Sequence, residues 1–254
     1  MKTCVVAIAK EEDPYIEEWI NYNLKLGFND IFIWTNDWTY TCLNKNVFID
    51  TISGFGKQLE SYNTFIRNEQ HKYNWVAFFD IDEFLVLKKH TDIRSFLYEY
   101  NDCNSIGINW SFFGNNNQTK VLNNNYSVLK RFTKRSKQTF IGNNHIKSIV
   151  KLPIDNCVGV HNITNEWYNL NKEKRNGPYN TPVDWKIAQL NHYFSKTDEE
   201  LYLKCLRGRA DLVGVNNTKV CRKFEDHKRY LYLNDEEDTL AKDFLYKRND
   251  DKNV

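Results

Sequence analysis

Asp80 and Asp82 stand two residues apart, directly after the very apolar run Trp75–Phe79 (WVAFF). Two carboxylates at this spacing, carried past the end of a strand, offer hard oxygen donors to Mg²⁺ or Mn²⁺. Such an ion would in turn bridge a diphosphate. In open α/β sheets, ligands sit beyond the carboxyl ends of strands. The bare D-x-D pattern says little, because 18 Asp in 254 positions give about one match by chance. Its context says more: a buried strand precedes it and Glu-Phe-Leu-Val-Leu follows it. The competing reading is a solvated turn between two strands.

A second constellation is His192 with Lys196. His192 lies near the end of an expected strand over 187–194, and Lys196 stands just ahead of a capped helix. A neutral imidazole can complete a Mn²⁺ site that carboxylates begin. A lysine there, or the helix N-terminus from Thr197, can neutralise a diphosphate. His161 also ends an apolar run (CVGVH) and is a rival ligand. His71, His90, His145 and His227 have no comparable context.

The elements that must position these groups are legible in the first half. Cys4–Ala9 suits a buried parallel strand. Asp13-Pro14 predicts a helix start, with Asp13 as the capping acceptor. Ile16, Trp19, Ile20, Leu24 and Leu26 supply its apolar stripe, and Gly27 its end. Further strands are expected at 31–34, 47–49, 75–79 and 84–87, with a helix over 57–73. Strand and helix in alternation predict a parallel sheet with crossover helices. In the second half, strands are expected at 105–110, 146–152, 158–161 and 187–194. Strand-like segments are expected around the asparagine-rich tips at 115–117 and 123–125, and a loop over 166–182. Thr197 and Glu200 form a capping box for a helix to Gly208. The charged tail from Arg222 reads as helical.

Composition narrows the class. The chain has 35 Lys and Arg against 33 Asp and Glu, a net charge of +2, which argues against a nucleic-acid binder. With 41% hydrophobic and 15% aromatic residues, it can bury a core. The apolar run Cys4–Ala9 is too short for a signal-peptide core, and no window approaches a membrane span. The six cysteines are scattered without CxxC spacing, so a reduced, cytoplasmic protein is expected. Peripheral contact with a membrane surface is left open.

Four segments in order carry a family resemblance. WVAFFDIDEFL resembles the D-x-D segment of inverting GT-A glycosyltransferases, closest to glycosyltransferase family 92 and related family 2 members. AIAKEEDPYIEEWINYNLKLGFNDIFIW, INWSFFGNN and LNHYFSKTDEELYLKCLRGRAD resemble three further segments of that group. Together they span residues 5–211. The resemblance implies an α/β, GT-A (Rossmann-like) fold: a mostly parallel central sheet flanked by helices, then a less regular acceptor-side half. It implies one domain over 1–254, with a nucleotide-sugar half at about 1–105. An acceptor and metal-completing half would follow at 106–212, then a tail at 213–254.

The resemblance also implies roles. Asp80 would contact the ribose or the metal, and Asp82 and His192 would ligate Mn²⁺ or Mg²⁺. Lys10 and Glu12 would lie at the nucleotide, although Glu11 replaces the usual Asn. Asn36 would lie there too, with Thr35 and Trp38 departing from the pattern. Gln58 would face the sugar and Lys196 the diphosphate. The donor would be a nucleotide sugar, UDP-linked as is common in these families, and the acceptor a glycan or glycoconjugate hydroxyl. An inverting transfer needs one carboxylate as general base. Asp211 is the first choice, with Asp198, Glu199 and Glu83 as further candidates. Arg207 and Arg209 could bind diphosphate or acceptor, and Trp110 with Phe112 could form a sugar-stacking platform. Metal-assisted nucleotidyl transfer and a non-catalytic sugar or nucleotide binder are the alternatives.

Overall fold

A computed structural model describes residues 1–247. The first half runs β1 (Thr3–Ala9), α1 (Asp13–Leu26), β2 (Asp30–Asn36), β3 (Val47–Ile52), α2 (Gln58–Glu69), β4 (Trp75–Phe78), β5 (Glu83–Leu87), α3 (Ile93–Glu99) and β6 (Ser105–Phe112). The second half adds α4 (Val128–Arg131), β7 (Lys134–Arg135), β8 (Ile146–Lys151), β9 (Glu166–Tyr168), β10 (Lys174–Asn176) and β11 (Ala188–His192). It continues with α5 (Asp198–Arg207), β12 (Val213–Gly214), β13 (Thr218–Lys219), α6 (Phe224–His227), β14 (Glu236–Glu237) and α7 (Leu240–Tyr246). The expected helical tail is thus two short helices, α6 and α7, separated by a 3-10 turn over Lys228–Tyr232 and by β14, and its last residues, 248–254, lie outside the described part.

The central sheet has the order β10-β9-β6-β8-β4-β1-β2-β3, with β11 joined to β6 and β5. β3, β2, β1 and β4 are parallel neighbours, in register Val5↔Ile31 and Val5↔Ala77. β8 runs antiparallel between β4 and β6, which restores β6 to the direction of β4. β11 continues parallel to β6, while β5 pairs antiparallel with β11. The α/β architecture expected from the sequence is present, with its parallel part in the first half and a mixed part beyond. The carboxyl ends of β1, β4, β6 and β11 therefore share one edge of the sheet.

Local sequence explains these elements. Every residue of β1 and β2 is buried, so a continuous apolar run is what a two-sided parallel strand needs. α1 buries Ile16, Trp19, Ile20 and Leu26 and ends at Gly27, whose φ of 101° is a left-handed cap. Trp19 Nε1 donates to the Glu83 carbonyl (2.9 Å), tying α1 to the start of β5.

Several local expectations need correction. Asp13 is the first helical residue, not the cap, and Glu12 before it makes no capping bond because its carboxylate turns to Arg207. Residues 158–161 form no strand; the His161 carbonyl accepts from Ser148 Oγ (2.9 Å), holding that stretch as a loop along β8. The 166–182 loop contains the β9–β10 hairpin, anchored by fully buried Trp167. The stretch after the second asparagine tip is α4, capped by Ser127, rather than a strand.

Candidate active site

The turn from Asp80 to Asp82 leaves β4 at that shared edge and forms the floor of a cleft of about 290 Å³. Lys10 and Glu12 reach it from the end of β1, Trp110 and Phe112 from β6, and His192 from β11. Lys204, Arg207, Asp211 and Arg222 close its other side.

Each aspartate is matched to a cation, fully buried for Asp80 and partly buried for Asp82. Asp80 Oδ1 accepts from Gln58 Nε2 (2.6 Å) and from Lys147 Nζ (2.9 Å). Lys147 comes from β8 and is completely buried. Burial alone would lower its pKa, but Asp80 and Glu83 outweigh that and hold it well above the usual lysine value. Glu83 is also fully buried, accepting from Trp110 Nε1 (2.8 Å) and the Asp80 amide (2.9 Å). Its burial pushes its pKa well up, against the pull of Lys147. Glu83 therefore shapes the D-x-D turn from beneath.

Asp82 pairs with Lys204 from α5, and its Oδ1 lies 3.7 Å from His192 Nε2. Burial would raise its pKa, but Lys204, then His192 and Lys196, outweigh it and keep the carboxylate firmly ionised. Burial drives His192 well below the usual imidazole value despite Asp82, so the ring is neutral. Burial also brings Lys204 down to about 8, offset in part by Asp82.

The donor set can be tested against a divalent ion. Among the described residues, no three His, Cys, Asp or Glu side chains converge as a cage. Asp82 and neutral His192 do face one another, and His192 Nδ1 is buried without a partner. A carboxylate and an imidazole so placed fit Mg²⁺ or Mn²⁺ if diphosphate oxygens and water supply the other positions, as is usual for such ions. Asp80 sits at the same turn with Oδ1 already engaged by Gln58 and Lys147.

The structure sorts the remaining candidates. Glu12 is buried and ion-paired with Arg207, whose guanidinium also donates to the Lys10 carbonyl (2.7 Å). Arg207 thus fixes the loop after β1 rather than standing free. Lys10 approaches Asp37 at 3.5 Å. Asn36 does not line the cleft; its Nδ2 donates to the carbonyls of Ile52 (3.2 Å) and Gly54 (2.9 Å), bracing the loop before α2. Asp211 lines the cleft and accepts from Arg209 Nε (2.9 Å). Burial would raise its pKa, but Arg209 holds it below the usual range.

Lys196 lines a neighbouring chamber beside Tyr15, with its Nζ 4.6 Å from the Tyr15 ring centre. Its charge is nevertheless felt at Asp82. Asp198 and Glu199, the further base candidates, lie away from the cleft on the first turn of α5, where Asp198 accepts from Asn115 Nδ2 (2.9 Å).

Sequence reasoning missed four groups that the fold delivers, His145, His227, Lys147 and Arg222, while His161, the rival ligand, joins them at the cleft. His145 and His161 both pack against Trp110, at 4.8 and 5.1 Å between ring centres. His227 stacks on Phe194 (5.6 Å) at the cleft wall. Burial, with Lys147 and His145, lowers His161 to about 3, so it too is neutral. Lys147 was hidden inside an apolar strand pattern. Arg222 lines the cleft and makes no ion pair among the described residues. Its guanidinium donates to the Gly208 carbonyl at 3.5 Å and feels the charges of Asp211 and Asp82.

Comparison with known proteins decides the family. The model of glycosyltransferase family 92 matches residues 55–250. The chain belongs to glycosyltransferase family 92. No curated protein matches it. Among solved structures, Staphylococcus aureus TarS is 14% identical over 59% of this chain and 28% of its own, with a TM-score of 0.37. A putative glucose-1-phosphate thymidylyltransferase from Bacillus anthracis is 12% identical over 47% of this chain and 62% of its own, with a TM-score of 0.31. The chain therefore spans less than two thirds of either structure. The family 92 match begins ahead of α2 and takes in Gln58, the D-x-D turn, His192 and Asp211. The lysine and glutamate after β1 lie outside it.

Proposed function

We propose that this family 92 member transfers a sugar from a nucleotide-sugar donor, UDP-linked, to a hydroxyl of a glycan or glycoconjugate. The observation that carries the reading is the pairing of Asp82 with neutral His192 beneath a rim of cations at the carboxyl ends of four strands. That edge is where open α/β folds bind nucleotides. An ionised carboxylate and an uncharged imidazole suit a divalent cation, and the Arg222 guanidinium beside them suits the diphosphate that such a cation would accompany.

The chain's own groups divide the work. Asp82 and His192 would hold Mn²⁺ or Mg²⁺, which as a Lewis acid would stabilise charge on the departing diphosphate. Arg222 and Lys204 add positive charge at the same place, where negative charge grows as the glycosidic bond breaks. Asp80 is oriented by Gln58 and Lys147, leaving its second oxygen to address the donor. Asp211 accepts the proton of the acceptor hydroxyl as that oxygen attacks the anomeric carbon from the face opposite the leaving group, inverting it. Its pairing with Arg209 keeps it ionised at neutral pH, the form a base requires. Trp110 and Phe112 contribute aromatic surface to the cleft wall.

A thermal-shift series of nucleotide sugars with and without Mn²⁺ tests the reading. A donor that binds only the folded chain raises its melting temperature. A rise with a UDP-sugar in the presence of Mn²⁺, followed by release of UDP, supports it. Sugar 1-phosphate among the products, from attack on phosphorus with transfer of UMP, would point to nucleotidyl transfer, and binding without products to a non-catalytic sugar or nucleotide binder.

A further inference from the structure

The segment from Tyr202 to Tyr232 contains eight Lys and Arg against three Asp and Glu, in a chain whose whole net charge is +2. The same segment carries apolar side chains that turn outward. Val215 is 84% exposed, and Tyr202, Leu203, Leu206, Leu212 and Val213 are each about half exposed. They are not scattered. The β12–β13 hairpin is held to the end of α5, where Lys219 Nζ donates to the Leu206 carbonyl (3.0 Å) and the Arg209 amide to the Val220 carbonyl (2.8 Å). The C-terminal end of α5, with Leu206 exposed, and the base of the hairpin therefore adjoin.

An exposed apolar patch of this kind marks a contact surface. Its charges identify the partner. Lys219, Lys223, Lys228 and Arg229 are exposed around the patch, and among the described residues only Lys228 of these four is ion-paired, with Glu225. Apolar side chains ringed by Lys and Arg suit the boundary of a bilayer with anionic headgroups. There the apolar groups enter the acyl boundary and each cation near the surface contributes roughly 1 kcal/mol. A second copy of this chain would bring like charges together instead.

We propose that the face formed by α5 and the β12–β13 hairpin docks the protein peripherally on an anionic membrane surface. Gly208, Asp211, Arg222 and His227 belong to the same segment and line the cleft, so docking would bring the cleft mouth beside the headgroups. The docking stands independently of the transfer chemistry proposed above.

The experiment is co-sedimentation of the full chain with vesicles of phosphatidylcholine alone or with about a third phosphatidylglycerol. Binding is expected only to the anionic vesicles. It should weaken at least several-fold as salt rises. L203D together with V215D should abolish it, and K223E with R229E should weaken it at low salt. These side chains are exposed, so circular dichroism and the melting temperature should match the wild type. Wild-type protein that stays in the supernatant with anionic vesicles would overturn the proposal. So would a Leu203→Asp, Val215→Asp variant that sediments unchanged. A concentration-dependent dimer that this double variant dissolves would assign the face to self-association and equally overturn it.

Discussion

Lys147 places its ammonium 2.9 Å from Asp80 Oδ1 although the two residues are 67 positions apart, and the lysine is wholly buried. The pair exists because β8 runs antiparallel beside β4 and starts where β4 ends. Removing one partner of a buried pair leaves an uncompensated charge, which typically costs about 3–5 kcal/mol. Lys147→Met should therefore lower unfolding free energy by up to that amount, less what water recovers at Asp80, whose side chain is 32% exposed, while fully buried Glu83 loses the cation 4.0 Å away. Urea denaturation at neutral pH measures it; a loss below about 1 kcal/mol would contradict the pairing.

Acid should act through Glu200. Its carboxylate accepts from Arg131 twice (2.8 Å each), from Thr197 and from Tyr15. Burial would raise its pKa, but Arg131, Thr197 and Tyr15 bring it down to about 2. A carboxyl depressed on folding stabilises the protein above its unfolded pKa, and that stability drains away as pH falls from about 4.5 towards 2. The contribution at stake is at most about 3 kcal/mol. Glu200→Gln should be less stable than wild type at pH 6 and should lose less on acidification. Parallel stability curves for the two proteins would refute the assignment.

Gly107 should not tolerate a methyl group. A Cβ there would meet the Trp167 ring at 2.4 Å, and both residues are locked in sheet strands. Overpacking of this sort costs about 1–3 kcal/mol. Gly107→Ala should lower the melting temperature, and Trp167→Leu in the same chain should recover part of the loss. An unchanged melting temperature for Gly107→Ala alone would show that the ring can step aside.

The capping box at α5 is a smaller, separable effect. Thr197 Oγ1 accepts from the Glu200 amide (3.2 Å), and Glu200 Oε2 accepts from the Thr197 amide (2.9 Å). Thr197→Ala should cost about 1 kcal/mol and Thr197→Ser much less. Equal losses for both would place the role in the methyl group rather than the hydroxyl.

What the sequence disclosed follows from locality. The apolar runs of β1 and β4, the Gly27 stop and the Thr197–Glu200 box all depend on residues within a few positions of one another, so they could be read directly. The D-x-D turn was legible for the same reason. Lys147 was not, because a lysine in a strand looks like an outward-facing residue until its antiparallel neighbour brings Asp80 to it. Arg222, His145 and His227 come from segments without local pattern, and only the mixed half of the sheet gathers them. Asn36 shows the converse. Its motif-like place at the end of β2 suggested the nucleotide, whereas its amide is spent on the carbonyls of Ile52 and Gly54.

Turnover of a UDP-sugar by wild type and by Asp82→Ala, with Mn²⁺ and with products separated by chromatography, tests the central claim. The wild type should release UDP and move the sugar to an acceptor or to water. The variant, confirmed as folded by its melting temperature, should do neither and should lose Mn²⁺-dependent donor binding. Wild-type turnover by Asp82→Ala, or a wild type that leaves every nucleotide sugar intact and unbound, would contradict it.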